Sequence, residues 1–232
     1  MSIDKQLHPA HVAILRVLLF APNARFAELQ KESLLGSDHF NYYLKQLLEE
    51  GFIVKEDDAY SLTMKGKEFA NRFDTDARTV ERQPKVAVCL VIHDGQGRTI
   101  VQQRLKQPYY GYWGRPTGKI RWGETVVQAA SRELMEETGL TATWIMRGTY
   151  HKMDYNKQTG EMLEDKIFFV FHGTDPQGEM LTEFEGGRNA WFTADEIKKL
   201  DPTFITAESG INELEGPMFF TETRYEYDSK EY

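Results

Sequence analysis

The segment GKIRWGETVVQAASRELMEETGL, residues 118–140, constrains this chain more than any other stretch. It reads as a glycine-opened loop, then a helix from about Thr125 to Thr138, then a stop at Gly139, where a left-handed residue is needed. On that helix Glu133, Glu136 and Glu137 lie three and four residues apart and project from one face. Like charges so spaced repel by about 0.2–0.5 kcal/mol per pair, and a bound divalent cation removes that penalty. Ligands that offer only oxygen favour a hard ion, Mg2+ first and Mn2+ second. A solvated acidic face is the commoner fate of an isolated Glu-Leu-Met-Glu-Glu string. Here Val126, Val127, Ala130 and Leu134 form an apolar stripe beside the carboxylates, so the acidic band is expected to border packed protein. Arg132, four residues before Glu136, is placed to hold it by a charge-assisted hydrogen bond, while Gln128 and Met135 fall on the exposed side.

These residues resemble the Nudix box of the Nudix hydrolase family. Its fixed places are filled by Gly118, Glu124, Arg132, Glu133, Leu134, Glu136, Glu137, Gly139 and Leu140, with no departure. The resemblance implies a loop-helix-loop in which Glu136 and Glu137 ligate metal and Glu133 either joins them or acts as a base. It also implies that the Gly118 carbonyl completes the shell and that Arg132 orients rather than ligates. The likeness extends over about residues 84–205. Trp113-Gly-Arg-Pro-Thr-Gly-Lys is similar to the family's approach to the box, with Thr117 where a second glycine is frequent. Glu185-Gly-Gly before Trp191-Phe192 resembles a segment that supplies a further carboxylate in several members, which makes Glu185 the candidate and Glu183 the reserve.

With 232 residues the chain has room for one large domain or two modest ones, and two fit the pattern better. The net charge of -8 gives no general attraction to nucleic acid phosphates or to an anionic membrane, so an anionic substrate must be held locally. The single cysteine, Cys89, lies in the apolar run Val86 to Ile92, which excludes an intramolecular disulfide and reads as a small buried hydrophobe. The start, Met-Ser-Ile-Asp-Lys-Gln, has no core like that of a signal peptide, and no stretch is apolar for long enough to cross a bilayer; the expectation is a soluble cytoplasmic protein.

The expected class is α+β, with a winged-helix-like domain at 1–74, a linker at 75–84 and a Nudix α/β/α sandwich with a mixed sheet at 85–232. In the first domain helices are predicted from His11 to Phe20, from Arg25 to Lys31 and, capped by Ser37, on to Glu50; Gly51 stops the third. A hairpin over Phe52 to Leu62, tipped by Glu56-Asp57-Asp58, precedes a helix from Met64 to Phe73. The unit resembles a winged helix, yet the third helix offers Lys45 as its only Lys or Arg and the wing tip is acidic. Counterion release needs several basic contacts, so DNA binding is disfavoured and a protein contact or homodimerisation is preferred. In the second domain a strand from Lys85 to His93 is expected to form a hairpin with Thr99 to Leu105 through Asp94-Gly-Gln-Gly. Long strands follow at Thr143 to Tyr155 and Glu164 to Gly173, then a strand at Ala190 to Phe192 and a helix at Ala194 to Leu200 capped by Thr193. The tail from Gly210 to Tyr232 is expected to form a helix or a partner contact.

Carboxylates around a hard cation suit water attack on phosphorus, with Glu133 accepting the proton. The working expectation is hydrolysis of a nucleoside diphosphate derivative: a nucleotide sugar, a dinucleotide or a nucleoside triphosphate. Arg104, Arg115, Lys119 and Arg121 are the candidates to grip the outer phosphate, and Tyr112 or Tyr155 to stack a base. The alternative is a nucleotide-sensing regulator whose winged helix responds to ligand on the second domain.

Overall fold

The computed structural model describes residues 8–33, 35–74, 79–80, 82–205, 211 and 215–232. The chain divides into two compact units between Arg82 and Gln83. The first contains α1 (Pro9–Phe20), β1 (Ala24–Arg25), α2 (Phe26–Ser33), α3 (Ser37–Glu49), β2 (Ile53–Glu56), β3 (Ala59–Leu62) and α4 (Met64–Ala70). Its three strands pair in the order β1-β3-β2, and the helices close over them on Ile14, Leu15, Leu29, Phe40, Leu47 and Phe52, all fully buried. The periodicity that predicts these helices is this buried stripe. The cap of α3 differs from expectation: Gly36, not Ser37, is its N-cap. The Ser37 hydroxyl accepts a hydrogen bond from Gln30 Nε2 at 2.9 Å. Within the expected linker, residues 75–78 and 81 lie outside the described residues, and β5 (Thr79–Val80) pairs with β4 (Phe73–Asp74).

The second unit contains β6 (Lys85–Ile92), β7 (Arg98–Arg104), β8 (Trp113–Gly114), β9 (Thr117–Lys119), α5 (Val126–Thr138), β10 (Thr141–Asn156), β11 (Met162–Gln177), β12 (Glu183–Phe184), β13 (Gly187–Thr193), α6 (Ala194–Ile197) and β14 (Phe219–Tyr227). A mixed five-stranded sheet runs β14-β10-β11-β6-β9, and a four-stranded antiparallel sheet runs β12-β13-β7-β8. Both faces of β6 are buried, which explains its unbroken apolar run. Val88, Leu90 and Ile92 pack with Ala129, Ala130 and Leu134 of α5, whereas Ala87, Cys89 and Val91 pack with Tyr150, Phe168 and Val170. Cys89 is a buried free thiol, and burial pushes its pKa up to about 11. No described helix is long and apolar enough to cross a membrane.

Two expectations are corrected here. β6 and β7 do not form a hairpin, because the edges of β6 are taken by β11 and β9; β7 pairs with β13 and β8, and a single bridge, His93 to Thr99, joins the two segments. Asp94 closes the turn by accepting from the backbone of Gln96 at 2.7 Å and from Arg98 Nε at 2.6 Å. In the tail, Gly210 and residues 212–214 lie outside the described residues, and Phe219 to Tyr227 is a strand parallel to β10 rather than a helix. Phe219, Thr221, Thr223 and Tyr225 turn inward while Phe220, Glu222, Arg224 and Glu226 stay exposed, a period of two that no helix accommodates.

A histidine clamps this outer strand. His151 on β10 meets Glu222 of β14 through Nδ1 at 2.8 Å and Asp165 of β11 through Nε2 at 2.7 Å. Both nitrogens donate only in the imidazolium, so the Glu222 and Asp165 hydrogen bonds raise the His151 pKa above 6.5. A group whose folded pKa is raised gives stability that is fully present below its unfolded pKa and lost as pH rises through the folded value. Thermal melts should therefore show the wild type losing its advantage over His151→Gln as pH climbs from 6.5 towards 9; a constant difference would mean that the clamp is not charged.

Candidate metal and phosphate site

Helix α5 is fixed at both ends. Thr125 caps it, its hydroxyl accepting from the Gln128 backbone while the Gln128 side chain accepts from Thr125 N, and Gly139 ends it at φ 72°. The packed stripe is Ala129, Ala130, Leu134 and Thr138, with Val126 half-buried against it. Val127 does not belong to it: the side chain is 47 % exposed, since the helix turns position 127 towards Trp122 and solvent. Gln128 and Met135 are exposed, as the helical phase predicts.

Arg132 organises the acidic residues. Nε and Nη2 grip Glu124 in a two-pronged pair at 2.7 and 2.8 Å, Nη1 donates to Glu133 at 2.6 Å and to Glu136 at 3.1 Å, and Nη2 also reaches the Lys119 carbonyl at 3.0 Å. The Arg132 hydrogen bonds hold Glu124 down at a pKa of about 2. Sequence reading gave Arg132 an orienting role towards Glu136 but assigned none to Glu124, which lies eight residues away in the preceding loop. A lysine presents a point charge and cannot reproduce a planar fork. Arg132→Lys is therefore expected to lower any metal-dependent turnover about 10–100-fold, read as kcat/KM, and to reduce the melting temperature; unchanged kinetics would remove Arg132 from the positioning role.

Glu133 passes over Gly118 on β9. A Cβ at position 118 would fall 1.8 Å from Glu133 Cδ, so only glycine lets the carboxylate lie across that strand. Glu137 is the most enclosed of the three. Burial first, and the nearby Glu133 charge, push its pKa up to about 7, although Gln102 Nε2 donates to it at 3.0 Å. Gln102 also meets Asn189, whose amide nitrogen donates to the Glu137 carbonyl at 2.8 Å. Glu136 is exposed and engaged by Arg121 Nη2, at 3.1 Å to each oxygen. Among the described residues no three His, Cys, Asp or Glu side chains converge closely enough to hold a metal ion.

Glu133 and Glu137 open on a cavity of about 570 Å³. Its lining includes Gly118, Lys119, Arg104, Arg115 and Tyr112, five of the residues proposed from sequence. Arg104 is tied by its guanidinium to the Pro108 and Gln107 carbonyls, and Arg115 donates to Thr99 while burial lowers its pKa to about 10. Tyr112 is buried against Phe204 in a stacked pair and donates to Glu231 at 2.8 Å, so its ring is already partnered. Five proposed residues do not line the cavity: Arg132 and Glu136 pair with each other outside it, Arg121 is held by Glu136, Tyr155 lies under the Arg224 guanidinium at 3.9 Å, and Glu185 is exposed in the turn between β12 and β13. The neighbours of Glu185, Phe184 and Gly186, do line it; Glu183 does not.

Sequence reading missed the sheet floor of the cavity: Lys85, Lys152, Asp154, Glu164 and Lys166. The signal was present, because β10 and β11 place charges at alternate positions whose register neighbours, Tyr150 and Phe168, face the interior. The lining carries seven Lys and Arg against four Asp and Glu, so an acidic chain encloses a cavity with a formal excess of three positive charges. Such a cavity attracts and holds an anion where the surface at large does not.

Comparison with known proteins gives two family matches: a NUDIX domain over residues 83–210 and a winged helix-turn-helix over residues 12–80. The oxidized purine nucleoside triphosphate hydrolase of Danio rerio is 32% identical over 108 residues, 47% of this chain and 66% of that protein. The isopentenyl-diphosphate Delta-isomerase of Serratia proteamaculans is 42% identical over 59 residues, 24% of this chain and 33% of that protein. The chain thus spans less than two thirds of the length of these curated relatives. Among solved structures, a MutT protein from Bacillus halodurans superposes with a TM-score of 0.50 at 22% identity, covering 63% of this chain and 92% of that one, a likeness of fold.

Proposed function

Because the chain belongs to the Nudix family through its residues 83–210, we propose that it is a metal-dependent hydrolase that cleaves the diphosphate linkage of a nucleoside diphosphate derivative. Family membership alone does not choose the reaction, since a hydrolase and an isomerase are both among the relatives. The observation that carries the choice is the pairing of Glu133 and Glu137 with Arg104, Arg115 and Lys119 around one positively charged cavity.

The donor set fits a hard divalent cation. It is all oxygen, and Glu137 is a buried carboxylate beside a second one, which an ion of opposite sign would relieve. Glu137 and Glu136 would hold Mg2+, or Mn2+ in its place, with the Gly118 carbonyl as a further ligand and Glu133 kept for the base. Glu136 must exchange Arg121 for the ion. Such an ion, when bound, lowers the pKa of a coordinated water and neutralises charge on the phosphates. The protein's own part is to position: Arg132 fixes Glu133 and Glu136, and Gln102 and Asn189 fix Glu137. Glu133 accepts a proton from the attacking water, and Arg104, Arg115 and Lys119 orient the outer phosphate. Glu185, next to residues of the cavity wall, is the proposed additional carboxylate.

The test is product release from nucleotide sugars, dinucleotides and nucleoside triphosphates, with Mg2+ and with a chelator. Turnover that needs the ion supports the reading, and silence on the whole panel overturns it. The winged helix-turn-helix match favours a second reading, a nucleotide-sensing regulator. Against it, Lys45 on α3 is paired with Glu49 at 3.5 Å beside exposed Asp38, and the wing tip is Glu56-Asp57-Asp58. This surface suits a protein contact or a homodimer better than phosphate. A ligand-dependent shift of promoter DNA together with no turnover would reverse the order.

A further inference from the structure

The cavity floor carries a row of three lysines. Lys152, Lys166 and Lys85 are register partners on the adjacent strands β10, β11 and β6, and all three line the cavity. Like charges set opposite one another across strands are destabilising, so a chain keeps such a row only where something offsets it. Two carboxylates from the next register position do so in part. Glu164, itself nearly buried, meets Lys85 and Lys166 at 3.0 Å each, and Asp154 pairs with Lys152. Three cations therefore face two anions, and the row is left with one formal positive charge inside the cavity.

The row is separate from the place where the diphosphate is expected to be cut. Val88 of β6 is the register partner of Gly118, three residues along the strand from Lys85. With about 4.8 Å between strands and about 3.3 Å per residue along them, the lysines lie roughly 11–17 Å from Gly118, Lys85 nearest and Lys152 farthest. That separation is too long for the two phosphorus atoms of one diphosphate. The row's own sheet face presents Ala87, Cys89 and Phe168, which are apolar and suit the body of a sugar or nucleoside, whereas Val88 and its partner Gly118 turn to the α5 face; the cavity, lined by Thr117, Gly118 and Lys119 of β9, joins the two.

We infer that the Lys85–Lys166–Lys152 row is a second anion subsite, and that the substrate is a diphosphate carrying a further phosphate or carboxylate on the group remote from the scissile bond. The inference rests on the hydrolase reading for the position of that bond, but the subsite itself is a binding site and is testable without turnover. Glu164 sets its strength by competing for Lys85 and Lys166. Lys152 is the most enclosed, with Tyr227 OH at 3.2 Å and the Phe204 and Tyr225 rings at 5.0 Å, so it anchors the row while the more open Lys85 and Lys166 meet the ligand.

The experiment compares substrates that differ only in a remote phosphate, NADPH against NADH and coenzyme A against its 3′-dephospho form, using the full chain. Turnover with Mg2+ and the thermal shift on ligand binding are read in parallel. The wild type is expected to prefer the phosphorylated member by roughly tenfold or more, the size of a charge-assisted contact, and the preference should shrink as salt is raised. Lys166→Gln and, separately, the more exposed Lys85→Gln should each bring the ratio towards one; either variant suffices if the other fails to fold. A remote carboxylate as the natural group would appear as preference for a uridine diphosphate sugar acid over the parent sugar. Equal response within every pair, including no response to any, overturns the inference and leaves the hydrolase reading to its own assay. Preferential binding of the phosphorylated member without turnover upholds the subsite and overturns the hydrolase.

Discussion

Glu137→Gln is expected to abolish most of the metal-dependent turnover while leaving the apo protein at least as resistant to heat as the wild type. The two effects have one cause. Glu137 is enclosed next to Glu133, and without a cation its ionised form is poorly compensated, as its pKa of about 7 reflects. An amide of the same shape keeps the Gln102 contact and removes the buried charge. In the hydrolase reading the lost interaction is worth several kcal/mol of transition-state stabilisation, about a 10²–10³-fold loss in kcat at 1.36 kcal/mol per tenfold. Paired melts and rate measurements check this, together with the stabilisation that Mg2+ confers on the wild type and not on the variant. A variant that keeps its rate would mean that Glu137 is not a ligand.

Gly118→Ala is expected to fall next in severity, by a different route. The new methyl would fall 1.8 Å from Glu133 Cδ and 2.3 Å from its Oε1. Those atoms are the end of a flexible side chain, so the chain should fold and Glu133 should swing away from Arg132. The cost then appears chiefly in rate, about 10²-fold or more, with a modest drop in melting temperature. Because the methyl acts only by displacing Glu133, adding Glu133→Gln should do little further harm, and the two changes should be far from additive. Additive losses would show that Gly118 matters for another reason, such as its carbonyl.

The box was legible because its chemistry is local. Glu133, Glu136, Glu137, Arg132 and Gly139 lie on or beside one helix, so spacing alone gives their face and their stop. The winged helix was legible for the same reason, through the buried stripes of α1 and α3. What failed was mostly long-range. The turn at Asp94 looked like a hairpin because local composition reports a reversal but not which edge of β6 is already filled. β14 was missed because a tail of aromatics and acids says little until β10 is known to lie beside it. Tyr112 and Tyr155 were sound guesses by residue type, yet the tertiary structure gives them Phe204 and Arg224 as partners. The lysine row needed the register of three strands, which no single stretch reveals.

The parallel pairing of β14 with β10 has a bearing on how the chain acquires its form. Gly148 must wait for Phe219, and Lys85 for Lys166, before the outer ladder of β14 on β10 and the inner ladder of β6 on β11 can close. Contacts so distant along the chain slow assembly, because the loop entropy is spent before the ladder rewards it. Nascent chains emerging residue by residue would hold the outer edge of β10 unpaired, its other edge already taken by β11, until β14 arrives, an interval in which edge-to-edge association with other copies competes with maturation.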